Sequence, residues 1–247
     1  MKIYLAGIES LTDKEREYVE RNGTNGLASF YNMNQKTEEV IPYLKDFLLD
    51  SGAFTLFSSG KHVDWNSYIK SFAEFIKRNK VSKFFELDID SLVGYEKVLE
   101  LRHKLEDATG KPVIPVWHKS RGKERFLQMC EEYKYVAIGG IVSKEIKISD
   151  YPVFNYLIDE AHKRGVRIHG LGFTNMQGLK KYHFDSVDST AWISGNKYGF
   201  IYHFNGTQMK KTTVPKGYRF GKTTWSDARL NNLTEWDKFV QYAENKL

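Results

Sequence analysis

The chain has 247 residues, of which 41% are hydrophobic and 15% aromatic, so it can bury a sizeable core and is not a disordered chain. Cys130 is the only cysteine, which excludes an internal disulfide bond and every zinc site built from several cysteines. No apolar run approaches the roughly 18–20 residues that span a bilayer, and Met1-Lys2 leads directly into a short strand rather than into a signal peptide. We therefore expect a soluble, cytoplasmic protein.

Short apolar stretches alternate with amphipathic ones along most of the chain, about every 25 residues, which indicates a parallel sheet. The predicted strands lie at 3–7, 47–49, 83–89, 113–117, 135–138, 167–171 and 186–188. The predicted helices lie at 12–21, 65–76 after an N-cap at Asp64, 95–105, 123–133, 153–163, 176–182 and 232–246. Residues 22–26 are rich in turn formers and are predicted to be a loop.

Seven strand–helix steps and an irregular eighth predict a single α/β domain over residues 1–247, a (β/α)8 TIM-like barrel with a degenerate last unit. After Asp188 the rhythm changes, and residues 199–209 predict two strand segments joined by an Asn-Gly turn, a small β-hairpin insertion. A doubly wound open sheet is the second choice, because the chain lacks a Gly-x-Gly-x-x-Gly phosphate turn.

The net charge of +6 is concentrated in one segment, residues 189–226, which we call the basic segment. It contains no Asp or Glu, and aromatic residues such as Trp192 and Tyr202 alternate with its cations. Basic and aromatic side chains together suit a nucleic-acid surface, since they neutralise phosphates and stack on bases. A solvated hairpin with an ordinary aromatic face is the alternative. The cations are Lys197, Lys210, Lys211, Lys216, Arg219 and Lys222.

Residues suited to chemistry follow five of the predicted strands, at the edge where parallel α/β barrels build active sites. Glu86, Asp88 and Asp90 have a period of two, so they would share one strand face. Because like charges repel, a metal, a cationic partner or a substrate with N–H donors would explain the set, and capping of the next helix is the alternative. The other strand ends carry Asp50, His118, Gly139-Gly140 and Asp188.

Two of these strand ends leave several roles open. Gly139-Gly140 permits close backbone approach to a flat ligand. His118 can be a general acid/base, a reader of a base or a hydrogen-bonded residue at a strand end. We interpret His169 and His203 as structural residues, because no metal-ligand spacing links them.

Four short motifs, in order between about residues 47 and 195, resemble those of tRNA-guanine transglycosylases. Asp50-Ser51-Gly52-Ala53-Phe54 is similar to the family's Asp-Ser-Gly-Gly-aromatic motif, and Ala137-Ile138-Gly139-Gly140-Ile141 to its Ala-(Ile/Val)-Gly-Gly-Leu segment. His169-Gly170-Leu171-Gly172 resembles its Met-Gly-Val-Gly strand, and Phe184-Asp185-Ser186-Val187-Asp188 resembles the segment that holds the nucleophile.

The chain departs from that family in three ways. It is much shorter, it cannot form the Cys/His zinc cluster, and its acid-bearing strand has Glu-Leu-Asp-Ile-Asp in place of Phe-Asp-Glu. These departures resemble the compact DNA-modifying branch, the DpdA-type DNA 7-deazaguanine transglycosylases often carried by phages. The resemblance implies no zinc or other cofactor, and a host-cell cytoplasmic location if the protein is phage-encoded.

The resemblance also implies roles for single residues. Asp188 would be the nucleophile at C1′, with Asp185 as the nearby alternative, and Asp50 would be the general acid/base. Asp88, or else Asp90, would accept hydrogen bonds from the purine, and His118 takes the place of the family's base-reading Gln. The remaining pocket residues would be Ser51, Phe54, stacked on the purine, and Gly139 and Gly140, which contact the base through backbone atoms.

The function implied is exchange of a guanine in DNA for a free 7-deazaguanine base through a covalent aspartyl–deoxyribosyl intermediate. The target nucleotide would be flipped out or single-stranded, and the basic segment would hold the strand. Three alternatives stay open: the same exchange on tRNA, a non-catalytic nucleic-acid-binding partner, and a metal-dependent barrel hydrolase that uses Glu86, Asp88 and Asp90.

Overall fold

The computed structural model describes residues 1–58, 63–213 and 222–247, with side chains described throughout these ranges except at positions 54, 57, 58, 194, 196, 197 and 222–226. The strands are β1 (Lys2–Ala6), β2 (Asn25–Ser29), β3 (Asp46–Asp50), β4 (Val116–Trp117), β5 (Tyr135–Ile138), β6 (Arg167–Gly170), β7 (Ser186–Ser189), β8 (Phe200–Phe204) and β9 (Met209–Thr213). The α-helices are α1 (Asp13–Asn22), α2 (Gln35–Val40), α3 (Ala53–Ser58), α4 (Trp65–Arg78), α5 (Asp90–Val93), α6 (Tyr95–Thr109), α7 (Gly122–Glu132), α8 (Val153–Lys163), α9 (Met176–Lys181), α10 (Ala191–Lys197) and α11 (Lys222–Lys246). Short 3-10 helices lie at Ile8–Ser10, Phe30–Asn32, Ile41–Tyr43, Lys119–Arg121 and Ile148–Asp150.

Strands β1 to β7 form one parallel sheet in the order β3-β2-β1-β7-β6-β5-β4. The sheet is curled, because both of its edges contact the same short segment through parallel bridges, Leu49 with Phe84 and Phe85 with Ile114. The N–H of Phe85 donates to the carbonyl of Leu49 at 2.9 Å, and the N–H of Glu86 donates to that of Ile114 at 3.1 Å. This architecture is compatible with a TIM-like fold, in which all carboxyl ends of the strands open on one side.

The two faces of the sheet bury different apolar clusters, because successive residues of a strand point to opposite faces. Ile3, Leu5 and Leu49 belong to the large cluster between the sheet and the helices. Tyr4 and Leu48, their chain neighbours, belong to a smaller cluster on the inner, concave face. That inner cluster comprises Tyr4, Ala6, Leu27, Leu48, Phe85, Ile114, Val116, Tyr135 and Ala137.

The helices follow local signals in the sequence. At α4, Oδ1 of Asp64 accepts a hydrogen bond from the N–H of Asn66 at 3.0 Å, and Ile69, Phe72 and Ile76 are buried, which confirms the predicted N-cap and apolar face. None of the helices in the described ranges combines the length and the apolar character that a membrane crossing requires.

The loop prediction for residues 22–26 was wrong in part, since α1 extends to Asn22 and β2 begins at Asn25. Tertiary contacts explain the difference. The buried amide of Asn25 donates to Glu244 at 2.6 Å, and a Cβ at Gly26 would lie only 3.0 Å from Leu44 and 3.1 Å from Ile8. Asn25 is therefore held in the strand by a distant hydrogen bond, and Gly26 suits a position where a Cβ would crowd its neighbours.

The predicted hairpin is confirmed as two antiparallel strands, although β9 begins only at Met209 and extends beyond the predicted range 199–209 to Thr213. It is attached to α11 by side chains of that helix: Oδ1 of Asn232 accepts from the N–H of Tyr202 at 2.8 Å, and Oε2 of Glu235 accepts from the N–H of Phe204 at 2.6 Å. These bonds leave the β9 residues Lys210 and Lys211 exposed. Helix α11 begins at 222, ten residues earlier than the sequence predicted.

Candidate functional site

A cavity of about 1130 Å³ opens at the carboxyl ends of the strands. It brings together residues that are up to 138 positions apart in the sequence, from Asp50 to Asp188. Most of the predicted site residues line it, namely Asp50, Ser51, Asp88, Asp90, His118, Gly139, Gly140 and Asp188. The predicted stacking residue, Phe54, has a side chain that lies outside the described part of the chain. The described lysines of the basic segment, which were predicted to bind the nucleic acid, do not line the cavity.

Asp50 is the last residue of β3, and a tight turn fixes its carboxylate. The N–H of Gly52 donates to Oδ1 at 2.5 Å. Gly52 has a φ of 68°, and a Cβ there would lie 2.2 Å from Oγ of Ser29, so this position requires glycine. Burial, together with the negative charges of Asp88 and Asp188, raises the pKa of Asp50 to about 6 against the opposing effect of the Gly52 hydrogen bond. Asp50 can therefore give and take a proton near neutral pH.

Asp188 lies on β7 and is only 8% exposed. Its Oδ1 accepts a hydrogen bond from the N–H of Gly172 at 2.7 Å and lies 3.2 Å from Nε2 of His169. Among the described residues, no hydrogen bond engages its Oδ2. Two donors thus hold one oxygen of this carboxylate, and the other oxygen is left for the cavity.

His169 is a residue whose role the sequence analysis missed. It is fully buried on β6, where its strand register pairs it with Ser186. A signal for the contact was present, because Asp188 follows Ser186 by two residues and so projects to the same face as His169.

A chain of polar groups continues behind His169 on the inner face of the sheet. Nδ1 lies 2.6 Å from Oγ of Ser186, which in turn contacts the hydroxyl of Tyr135. The rings of Phe85 and Tyr4 pack beside the imidazole, with centroids 5.2 Å and 6.1 Å away. Because aromatic rings surround it and both its nitrogens are bonded, the imidazole has one orientation.

His118 lies between two carboxylates at the end of β4. Nε2 is 2.7 Å from Asp88, and Nδ1 is 2.8 Å from Glu145. Burial lowers the pKa of His118, but its hydrogen bonds with Asp88 and Glu145 outweigh that effect and raise the pKa to about 9. The imidazole is therefore a cation at neutral pH, and both of its nitrogens donate. Glu145, whose other oxygen accepts from the N–H of Ser120 at 2.8 Å, was not among the predicted residues.

Gly139 and Gly140 make room for this arrangement. A Cβ at Gly139 would lie 2.9 Å from Nε2 of His118, and a Cβ at Gly140 would lie 2.8 Å from Oε2 of Glu145. Gly140 also has a φ of 79°. Packing against His118 and Glu145 thus explains why both positions are glycine. Their contact with a base through backbone atoms stays a prediction.

The three acids at 86, 88 and 90 do not share one strand face as expected. The strand prediction for 83–89 was too long, because regular pairing is limited to the bridges at 84 and 85, and Asp90 begins α5. Glu86 is fully buried, 2.7 Å from Nε of Arg102. Asp90 is 2.8 Å from Nε of Arg121, which lowers the pKa of Asp90 despite its burial. The protein's own cations thus balance these charges.

Asp88, Asp90 and His118 each place one potential ligand atom within 4.8 Å of the others, so they are the set in the described ranges that could hold a metal ion. Their donor atoms already have partners, however. Nε2 of His118 bonds Asp88, and an oxygen of Asp90 bonds Arg121. A metal would have to replace these contacts.

The basic segment is only partly a candidate surface. Lys210 and Lys211 are exposed, and Nζ of Lys211 lies 3.5 Å from the centre of the Phe200 ring. Trp192 and Tyr202 are buried, so the expectation that they stack on bases was wrong; Nε1 of Trp192 donates instead to the carbonyl of Ala6 at 3.0 Å. The side chains of Lys197 and Lys222, and all of Lys216 and Arg219, lie outside the described residues.

Neither a scan against models of protein families nor a search of curated proteins finds a match to the chain. Its function therefore has to be inferred from the residues and the geometry of the cavity.

Proposed function

We propose that the protein is a guanine transglycosylase that exchanges a guanine base of DNA for a 7-deazaguanine base. The observation that carries this proposal is the pair Asp50 and Asp188, which line one cavity and interact through their charges. One has a pKa suited to proton transfer, and the other presents a carboxylate held by two hydrogen-bond donors. Four motifs that resemble tRNA-guanine transglycosylases support the same reaction.

The proposal includes a complete (β/α)8 barrel. The segment at Phe84–Phe85 would be the fourth strand, since it bridges both edges of the seven-stranded sheet. With this segment included, the strands follow one another around the barrel in chain order, and β7 closes it against β1. Asp50, Asp88, His118 and Asp188 would then project from four strand ends into the mouth of one barrel.

In the proposed reaction Oδ2 of Asp188 attacks C1′ of the target deoxyguanosine while the bond from C1′ to the base nitrogen breaks. Asp50 protonates the departing guanine, which leaves a covalent aspartyl–deoxyribosyl ester. The incoming 7-deazaguanine then gives its proton to Asp50, and its nitrogen attacks C1′ and releases Asp188. Proton and charge balance after both steps, and no external reductant or oxidant is needed.

The base would lie between the turn after Asp50 and the ends of β4 and β5. Asp88 is partly occupied by His118, and its second oxygen can accept hydrogen bonds from the N–H groups of a purine. Asp90 is the less accessible alternative, because Arg121 holds it. The protonated His118 would fix the position of Asp88. Because Asp88 and Glu145 neutralise the charge of His118, the base would meet the carboxylate oxygen of Asp88 as a hydrogen-bond acceptor and would not meet an unpaired positive charge.

Label exchange tests the proposal directly. The protein is incubated with DNA or with tRNA that contains labelled guanine, together with excess unlabelled guanine. We expect release of label from DNA, and none with Asp188→Asn, which also should form no covalent adduct. Release from tRNA alone would change the substrate, whereas an active Asp188→Asn variant, or no release from either polymer, would overturn the proposal. A chelator should leave the release of label unchanged; loss of release that a divalent metal restores, without incorporation of the free base, would favour a metal-dependent hydrolase using Asp88, Asp90 and His118.

A further inference from the structure

Arg125 is a cation of the cavity wall that the mechanism above does not use. It lies on α7 and is half-buried, and together with Tyr95 it lines the cavity. The centre of its guanidinium is 5.0 Å from the centroid of the Tyr95 ring. The guanidinium of Arg121 lies over the same ring at 4.5 Å.

The cations that line the cavity differ in whether they form ion pairs within the protein. His118 is bonded to Asp88 and Glu145, and Arg121 is bonded to Asp90. Arg125 forms no ion pair within the described ranges, although acids outnumber cations in the same cavity wall. Among the described cations that line the cavity, Arg125 therefore has the charge that remains available to an anion from outside.

We propose that Arg125, held by Tyr95, binds a phosphodiester group next to the nucleotide whose base enters the cavity. The inference rests on the proposed function, because it needs a nucleic-acid substrate. A guanidinium offers two parallel N–H donors that match the oxygens of a phosphate, and stacking on an aromatic ring fixes its plane in advance. The carboxylates of the cavity would repel a phosphodiester, so a cation at the wall is needed where the strand crosses it.

Steady-state kinetics separate this role from a general effect on the site. A phosphate ligand acts on the polymer and not on the free base, so Arg125→Ala should raise the KM for a guanine-containing oligonucleotide about tenfold. The KM for free guanine should stay unchanged. The slope of log affinity against log salt should become shallower by about 0.7 for a single strand.

The matched control is Lys123→Ala. Lys123 lies two residues away on α7 and also over a tyrosine ring, that of Tyr156 at 4.5 Å, but neither residue lines the cavity. The Lys123→Ala variant should leave the KM for the oligonucleotide and the KM for free guanine unchanged. Arg125→Lys, which keeps the charge and loses the planar fork, should give an intermediate KM for the oligonucleotide.

Fluorescence anisotropy with the same oligonucleotide measures binding independently of catalysis. If the wild type shows no exchange but Arg125→Ala still weakens oligonucleotide binding, the proposed function is wrong and the phosphate site is retained. If exchange occurs but Arg125→Ala leaves the oligonucleotide KM unchanged, or raises the KM of the free base equally, the phosphate site is overturned. Wild-type protein that does not bind the oligonucleotide overturns it as well.

Discussion

The imidazole of His169 lies beneath the carboxylate of Asp188, with its Nε2 3.2 Å from Oδ1. A carboxylate oxygen only accepts, so Nε2 carries a hydrogen, and Nδ1 lies 2.6 Å from the hydroxyl oxygen of Ser186. The hydroxyl of Tyr135 completes the chain. His169 is thus a positioning residue for Asp188 and does not line the cavity.

His169→Ala should therefore lower kcat for the proposed base exchange by about tenfold to a hundredfold, because Asp188 loses one of the donors that hold it in place. The KM for both substrates should change little. His169→Gln, whose amide can still donate toward Asp188, should recover part of kcat. Steady-state kinetics at matched folded concentration provide the measurement, and an alanine variant with wild-type kcat would show that Gly172 alone positions Asp188.

The fold was largely predictable from the sequence because its signals are local. Apolar runs such as 135–138 and amphipathic stretches such as 153–163 coincide with β5 and α8, since the period of hydrophobic residues reflects the burial of one face. Strand β2 was not predictable in this way. Its Asn25 and Gly26 disfavour a strand locally, and contacts with distant residues override that preference.

The sequence predicted which residues line the candidate site, but it did not predict which of them are hydrogen-bonded to one another. Strand ends identified Asp50, Asp88, His118 and Asp188, because parallel strands deliver their carboxyl ends to one edge. The pairing of His118 with Glu145, 27 residues later, depends on the path of a loop. No periodicity in the sequence encodes such a path.

Asp50→Asn should stabilise the protein near pH 7 while abolishing exchange. The folded-state pKa of Asp50 is about 6, against an ordinary value of 3.8, so the folded protein binds more protons between these values. Its stability therefore falls as pH rises from about 4 to 6, by about 3 kcal/mol. The asparagine variant avoids this loss and can still accept from Gly52. Urea unfolding at pH 3.5 and pH 7 should show a difference from the wild type only at pH 7.

Asp46 provides the control of opposite sign, at the other end of β3. Burial opposes its charge, but hydrogen bonds from Lys2 and Lys83 outweigh burial and lower its pKa. Its contribution to stability is present above its ordinary pKa and lost as the pH falls. Asp46→Asn should therefore destabilise the protein at pH 7. A less stable Asp50→Asn variant at pH 7 would contradict the account of Asp50.

Glu86 should be important for stability and not for recognition of the base. It is fully buried and bonds Nε of Arg102 at 2.7 Å and the N–H of Val116 at 2.7 Å. Glu86→Gln would leave a buried guanidinium without its counter-ion, which costs about 3–5 kcal/mol.

The double variant Glu86→Gln with Arg102→Met removes both charges, keeps an oxygen that can accept from the N–H of Val116, and should recover most of that loss. The comparison variant Glu100→Gln interrupts exposed ion pairs with Lys97 and Lys104 and should leave the unfolding midpoint nearly unchanged. Chemical denaturation of all three variants measures the differences. A single Glu86→Gln variant as stable as the wild type would show that the stability of the protein does not depend on the negative charge of Glu86.

His118 should titrate far above an ordinary histidine and make stability depend on alkaline pH. Its hydrogen bonds with Asp88 and Glu145 raise its pKa from 6.5 to about 9 against the opposing effect of burial. The resulting stability is fully present below pH 6.5 and is lost as the pH rises through 9, by about 3 kcal/mol in total. His118→Gln should remove this dependence.

NMR titration of the imidazole signals tests the same interaction directly, with His118→Gln to assign the resonance. Glu145→Gln should move the pKa of His118 down toward 6.5, because one of its two carboxylate partners is lost. Glu124→Gln, an exposed acid on α7, should leave that resonance unchanged. A wild-type His118 that titrates near 6.5 would mean that the imidazole is neutral at physiological pH. The pocket would then offer a base one acceptor nitrogen in place of a fixed cation.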